Sequence, residues 1–261
     1  MAGVRQQVKI LWNANNTFAF ERINWGRLAQ AAIITTVSRY MKHLMQGLGV
    51  NPLVIPNGLS ADTLLPPQRE AVASFKARVR GRTVVCKVAR WDPDKSWLLA
   101  IDTVDAMKRV GWQPLDSKSP LVLFHSAAAV LANSQHEPFG LVGLETMAAG
   151  GVACTGYTGE DYAIPGHNAL ALKTNDPQEF LDLFGTLRLN LTMERALPRA
   201  GRVIAQHYTW SQIVHRILLP RLHLIACSSN GTKTTPHKPE KGKSKLAPTA
   251  GPQTNILYLR H

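Results

Sequence analysis

Two glutamates, Glu137 and Glu145, stand in the densest polar constellation of the chain, Asn133-Ser-Gln-His-Glu-Pro-Phe-Gly-Leu-Val-Gly-Leu-Glu145-Thr-Met-Ala-Ala-Gly-Gly151. The pattern reads as a loop after a strand, with a helix opening at Leu141. A helix start is an anion site, because its first N–H groups have no intrahelical partner and its dipole favours negative charge. Gly140 lets a ligand's phosphate approach the backbone. Glu137 falls in the loop and Glu145 about a turn into the helix, so two carboxylates can face one ligand. Each accepts paired hydrogen bonds, which suits the diols of a sugar or a ribose. A second pair, Arg90 and Lys95, follows the apolar run Thr83–Ala89 directly. Cations there lie at the carboxyl end of a strand, where open α/β sheets bind ligands.

Spacing by itself is weak, since the chain's eight glutamates give about 0.25 such pairs by chance. The flanking residues are more specific. Ser134-x-x-Glu137-Pro-Phe-Gly-Leu-Val142-x-Leu-Glu145-x-Met-Ala-x-Gly-Gly151 resembles the Glu-x7-Glu segment of the retaining GT-B glycosyltransferases of family 4, also called group 1. Arg90-Trp-Asp-Pro-Asp-Lys95 is similar to that family's Arg-x4-Lys. Thr36-Val-Ser-Arg-Tyr40 and Val54-Ile-Pro-Asn-Gly58 look like its segments where the chain crosses into the C-terminal domain.

The resemblance implies transfer of a sugar from a nucleoside-diphosphate donor, such as a UDP- or GDP-sugar, to an acceptor with retention. The resemblance does not fix the acceptor, which could be a glycan, a lipid or a small molecule. Arg90 and Lys95 would hold the diphosphate, Glu137 the hydroxyls of the donor sugar, and Glu145 the ribose. The backbone of Phe139, Gly140, Leu141 and Val142 would line sugar and phosphates. Retention is usually explained in this family by front-face attack through a short-lived ion pair, so no covalent nucleophile is expected, and the resemblance separately implies a fold that needs no bound metal or other cofactor. Asp92-Pro-Asp94 imitates a metal-binding Asp-x-Asp but lies inside the Arg-x4-Lys segment and is discounted.

Other polar residues read more plainly. A lone histidine such as His136 is more often structural than a ligand contact. Gly159-Glu160-Asp161 follows the next strand and reads as a turn before it reads as a contact to nucleotide or sugar. Trp91, Trp97, Trp112 and Trp210 fit helical or strand patterns and are expected in the core.

The elements around these residues indicate an α/β fold, a Rossmann-like parallel sheet with flanking helices, as in the C-terminal half of a GT-B enzyme. Expected strands are 53–55, 83–89, 128–132, 152–155 and 169–172. Expected helices are 37–48, 95–110, 141–149, 177–187, 192–207 and 211–224. Residues 1–36 hold one apolar amphipathic stretch, Trp25–Ile34, and read as a remnant of the preceding domain. Residues 37–227 would be the nucleotide-sugar-binding domain, and 228–261 a disordered tail rich in Ser, Thr, Pro, Gly and Lys. Lys95 and Glu137 are 42 positions apart, about half the family's separation, and 115–121 reads as a join across an internal deletion.

Composition excludes several classes. With 45% hydrophobic residues and 18% charged, the chain is neither wholly disordered nor collagenous. Three scattered cysteines, Cys86, Cys154 and Cys227, suggest neither a disulfide framework nor a zinc site. No secretory leader or membrane span is legible, so a cytoplasmic protein is expected. The formal charge of +13 favours polyanionic partners. Of this, +5 falls in residues 228–261. Alternatives to an active transferase stay open: a non-catalytic nucleotide-sugar-binding remnant, or half of an assembly whose N-terminal domain comes from another chain, and a basic protein binding nucleic acid or a peripheral acidic membrane. No alternation of aromatic and basic residues favours the nucleic acid.

Overall fold

The computed structural model describes residues 10–17, 19–106, 120–174 and 176–229. The join expected at 115–121 falls largely outside these residues, as does most of the basic tail. The first compact unit runs from Met1 to His223 and contains both sheets; the second begins at Leu224 and is helical as far as Ser229.

The first sheet is wholly parallel, in the order β1 (Ile10–Ala14), β2 (Ala32–Thr36), β3 (Leu53–Val54). The stretch expected to be one amphipathic element, Trp25–Ile34, divides into α1 (Trp25–Ala31) and β2. The physical reason is the run Ile33-Ile-Thr-Thr36, whose branched side chains favour the pleated conformation. This sheet draws its third strand from beyond residue 36. Ser38 then caps α2 (Arg39–Gln46), accepting the Met41 N–H at 3.2 Å.

The second sheet is also parallel, in the order β4 (Val85–Lys87), β5 (Ala129–Leu131), β6 (Ala153–Thr155), β7 (Leu170–Ala171). Between the sheets in sequence lies α3 (Arg69–Val79), which buries Phe75 against Val122 and Leu123. Between β4 and β5 come α4 (Trp97–Ala106) and α5 (Pro120–Ser126). Helix α6 (Leu141–Ala148) joins β5 to β6. After β7 come α7 (Pro177–Leu189) and α8 (Leu191–Gln206), capped by Asp176 and Asn190.

The expected helix at 211–224 is present as one helical run, α9 (Trp210–Ile213) passing through a π-helical turn (Val214–Leu218) into α10 (Leu219–Ser229). Pro220 supplies the reason for the π-helical turn, since it has no N–H to continue the α pattern. No helix among the described residues is long and apolar enough to cross a membrane.

Apolar burial ties these layers together. Met41, Met45 and Val37 pack in one cluster with Leu144, Met147 and Phe139, while Leu131, Cys154 and Leu170 of the second sheet pack with Phe180, Leu187 and Leu197. The adjacent carboxyl ends of β4, β5 and β6 consequently present three neighbouring loops, 88–96, 132–140 and 156–162.

Candidate functional site

The loop after β4 is a tight turn. Asp92 accepts the Asp94 N–H at 3.1 Å and caps a single 3-10 turn over Pro93–Lys95. The Asp92 carboxylate thus serves this turn. The Asp94 carbonyl accepts the Gln135 N–H at 2.9 Å, which binds this turn to the next loop. Lys95 thereby reaches Glu137, Nζ to Oε2 at 2.7 Å, with both side chains mostly buried. Arg90 does not join them. Its side chain is 82% exposed, with Nη2 4.0 Å from an Asp92 oxygen, while its carbonyl accepts the Trp97 indole N–H at 2.8 Å.

Glu137 has three partners of its own. Besides Lys95, its carboxylate accepts the Ser134 hydroxyl at 3.1 Å and the Gly140 N–H at 3.2 Å. Gly140 has φ +81°, a left-handed conformation that favours glycine. A Cβ at this position would lie 2.7 Å from Glu160 Cγ and 2.9 Å from the Tyr162 hydroxyl, so both conformation and space require glycine here. Helix α6 starts at this residue without a side-chain cap, which leaves its first turn open to an anion. Phe139 is buried beside Tyr162 and Tyr208, so only its backbone is available to a ligand. Leu141 is exposed and Val142 half-buried. Glu145 is half-buried one turn into the helix, and burial raises its carboxyl above the usual range.

Three further residues belong to this cluster. Lys87, at the end of β4, donates from Nζ to the Asn133 carbonyl at 3.0 Å, to Asn133 Oδ1 at 3.3 Å and to the Leu131 carbonyl at 3.5 Å. Burial, with the Lys95 charge adding to it, lowers Lys87 to about 8. Glu160 turns inward, 6% exposed, where Oε1 accepts the Gly156 N–H at 3.1 Å and Oε2 the Thr158 N–H at 3.0 Å. Burial pushes it up to about 7, and the Glu137 charge adds to the effect. Thr158 accepts the Glu137 backbone N–H at 3.0 Å.

The turn reading of residues 159–161 thus fits better than the ligand reading, for Glu160 serves its own loop. Asp161 accepts the Arg39 N–H at 2.7 Å and pairs with Arg39 Nε at 3.2 Å. His136 stands edge-on to Tyr40, whose hydroxyl is hydrogen-bonded to its ring, with 3.1 Å to Nε2. Trp91 departs from its expected place in the core. It is 79% exposed and leans on Trp97 with ring centres 5.1 Å apart, because the turn at 92–95 carries it outward. Trp210 is 52% exposed, and Trp112 lies outside the described residues.

No protein-family model and no curated protein matches the sequence. Solved structures match the fold. Sucrose-phosphate synthase from Thermosynechococcus elongatus aligns with a TM-score of 0.63 at 17% identity, over 83% of this chain and 68% of its own. HepE from Anabaena, in complex with UDP, aligns with a TM-score of 0.69 at 16% identity, over 85% and 72%. A glycosyltransferase from Rickettsia africae gives 0.67 at 12% identity, over 85% and 71%. What they share with this chain is the fold. The expected Rossmann-like α/β architecture, with parallel sheets and flanking helices, is therefore present in the described residues.

Proposed function

We propose that the chain binds a nucleoside-diphosphate sugar and is the donor-binding part of a retaining glycosyltransferase of the family 4 type. The observation that carries this reading is the Lys95–Glu137 ion pair beside the uncapped, glycine-led start of α6. Similar folds support it, since HepE was solved with UDP-glucose and with UDP and glucose.

As the glycosidic bond lengthens, negative charge gathers on the departing diphosphate. Cations and oriented N–H groups held in place before reaction stabilise that charge better than mobile water does. Lys95 and the first turn of α6 are so held, and Arg90 is free to swing onto the outer phosphate. Glu137, pinned through Ser134 and Gly140, offers its oxygens to sugar hydroxyls. Glu145, one turn into the same helix, would hydrogen-bond the ribose hydroxyls. In the retaining scheme the acceptor enters on the face that the diphosphate leaves, and the diphosphate oxygen takes up the acceptor's proton. No protein nucleophile enters that scheme.

Calorimetric titration with UDP and GDP, alongside donor hydrolysis or transfer by the wild type, Glu137→Ala and Arg90→Ala, tests the proposal. Heat with one nucleotide and slower turnover in both variants are expected. No heat with either nucleotide would refute donor binding, and equal rates in all three proteins would refute the site.

A further inference from the structure

We propose that Thr158 is the positioning residue for Glu137, its hydroxyl set by Glu160 and fixing the loop that carries the Glu137 carboxylate; this rests on the donor-site reading above. A threonine hydroxyl has one proton and two lone pairs. Thr158 Oγ1 directs its proton to Glu160 Oε2 at 3.3 Å, which leaves a lone pair for the Glu137 backbone N–H at 3.0 Å. Glu160 Oε2 also takes the Thr158 N–H at 3.0 Å, so rotation of the hydroxyl away from Glu160 would abandon an arrangement that the backbone already enforces. Glu160 itself is held by burial and by the Gly156 N–H at 3.1 Å.

The loops also touch along their backbones. A Cβ on Gly159 would stand 2.2 Å from the carbonyl oxygens of both Glu137 and Pro138, so the loop after β6 lies flat against the loop after β5. One hydroxyl and one glycine face therefore lock together two loops from neighbouring strands. Glu137 is located from behind, through its main chain, while Lys95, Ser134 and Gly140 hold its carboxylate from the front. A site of this kind needs its groups held to a fraction of an ångström, which a loop achieves only with such support.

The test uses the full chain with Thr158→Val, which keeps the shape and removes the hydroxyl, and Thr158→Ser, which keeps the hydroxyl. With a UDP-sugar, the valine variant is expected to lose about tenfold in kcat, the size of one lost hydrogen bond, while UDP affinity changes less than about twofold. Hydrogen exchange at the Glu137 amide should rise about tenfold in the valine variant. Serine should restore both. Wild-type exchange and kcat in the valine variant, or no restoration by serine, would overturn the relay.

Amide exchange also separates this inference from the one beneath it. If the wild type binds no nucleotide and turns over no donor, donor binding fails while the relay is still decided at the Glu137 amide. If valine does not fold, the wild type decides, for a freely exchanging Glu137 amide in the native chain excludes the relay.

Discussion

Lys95 Nζ lies 2.7 Å from Glu137 Oε2, so the cation assigned to the diphosphate and the carboxylate assigned to the sugar are each other's partners before any ligand arrives. The pair forms because two turns, each at a strand's carboxyl end, are joined by the Gln135–Asp94 backbone hydrogen bond. In the proposed reading a diphosphate would compete with Glu137 for Lys95, while the sugar would gain a carboxylate whose orientation is already set.

That competition predicts opposite effects from the two partners. Glu137→Gln removes the competing charge, so UDP affinity should stay the same or rise a few-fold while turnover of the sugar donor falls. Lys95→Ala removes the phosphate's partner and should weaken UDP binding roughly ten- to a hundredfold, the range for a charge-assisted hydrogen bond. Calorimetry with UDP reads both, and equal weakening by the two substitutions would count against the shared-cation picture.

Glu160 predicts a pH dependence of stability. A folded carboxyl near 7 holds its proton longer than the unfolded one near 4.5, so the folded state binds more protons between those values and stability falls as pH rises through the window. The groups facing it are Glu137, Tyr162 and Tyr40. Glu160→Gln does not titrate. Relative to this variant the wild type should lose up to about 3 kcal/mol between pH 4.5 and 7 and nothing further above about pH 8. Urea denaturation across the range checks the slope, and a constant difference would rule out a proton held on Glu160.

Sequence patterning made the second sheet legible, because β5 and β6 are apolar runs bounded by polar loops and the start of α6 is marked by Gly140. Strand β2 was hidden, since Ala31 and Ala32 join it to α1 without a polar break. Helix α3 has Arg, Glu and Lys spread around its surface and buries only Phe75, so its period is faint. Within the site, Glu137 and Lys95 were visible through their flanking residues, whereas Lys87 and Thr158 were not. Lys87 left one faint signal, a charge inside the apolar run Val84–Val88. Thr158 left none, because its importance lies in a contact with a residue 21 positions away. Trp91 misled, as a tryptophan beside a strand reads as core until a turn carries it outward.

Lys87 carries a prediction of its own. Its ammonium satisfies the Asn133 and Leu131 carbonyls where β5 gives way to the Glu137 loop. Lys87→Met keeps the length of the stem but strands those acceptors, which should cost about 1–3 kcal/mol of stability, read by urea denaturation. A variant as stable as the wild type would mean that water replaces the amine at no cost.

Arg90 supplies the contrast, because its side chain is 82% exposed and its Nη2 stands 4.0 Å from an Asp92 oxygen. An ion pair so long and so exposed contributes little to folding, and Arg90→Ala should shift stability by no more than about 0.5 kcal/mol. In the proposed reading its value would lie in reach. If the guanidinium swings onto the outer phosphate, the alanine variant should bind UDP about tenfold more weakly, and the loss should shrink as salt screens the exposed charge. Titrations at low and high ionic strength, paired with a thermal melt, separate the two effects. Unchanged affinity together with an unchanged melting temperature would remove Arg90 from the site and leave the diphosphate to Lys95 and the first turn of α6.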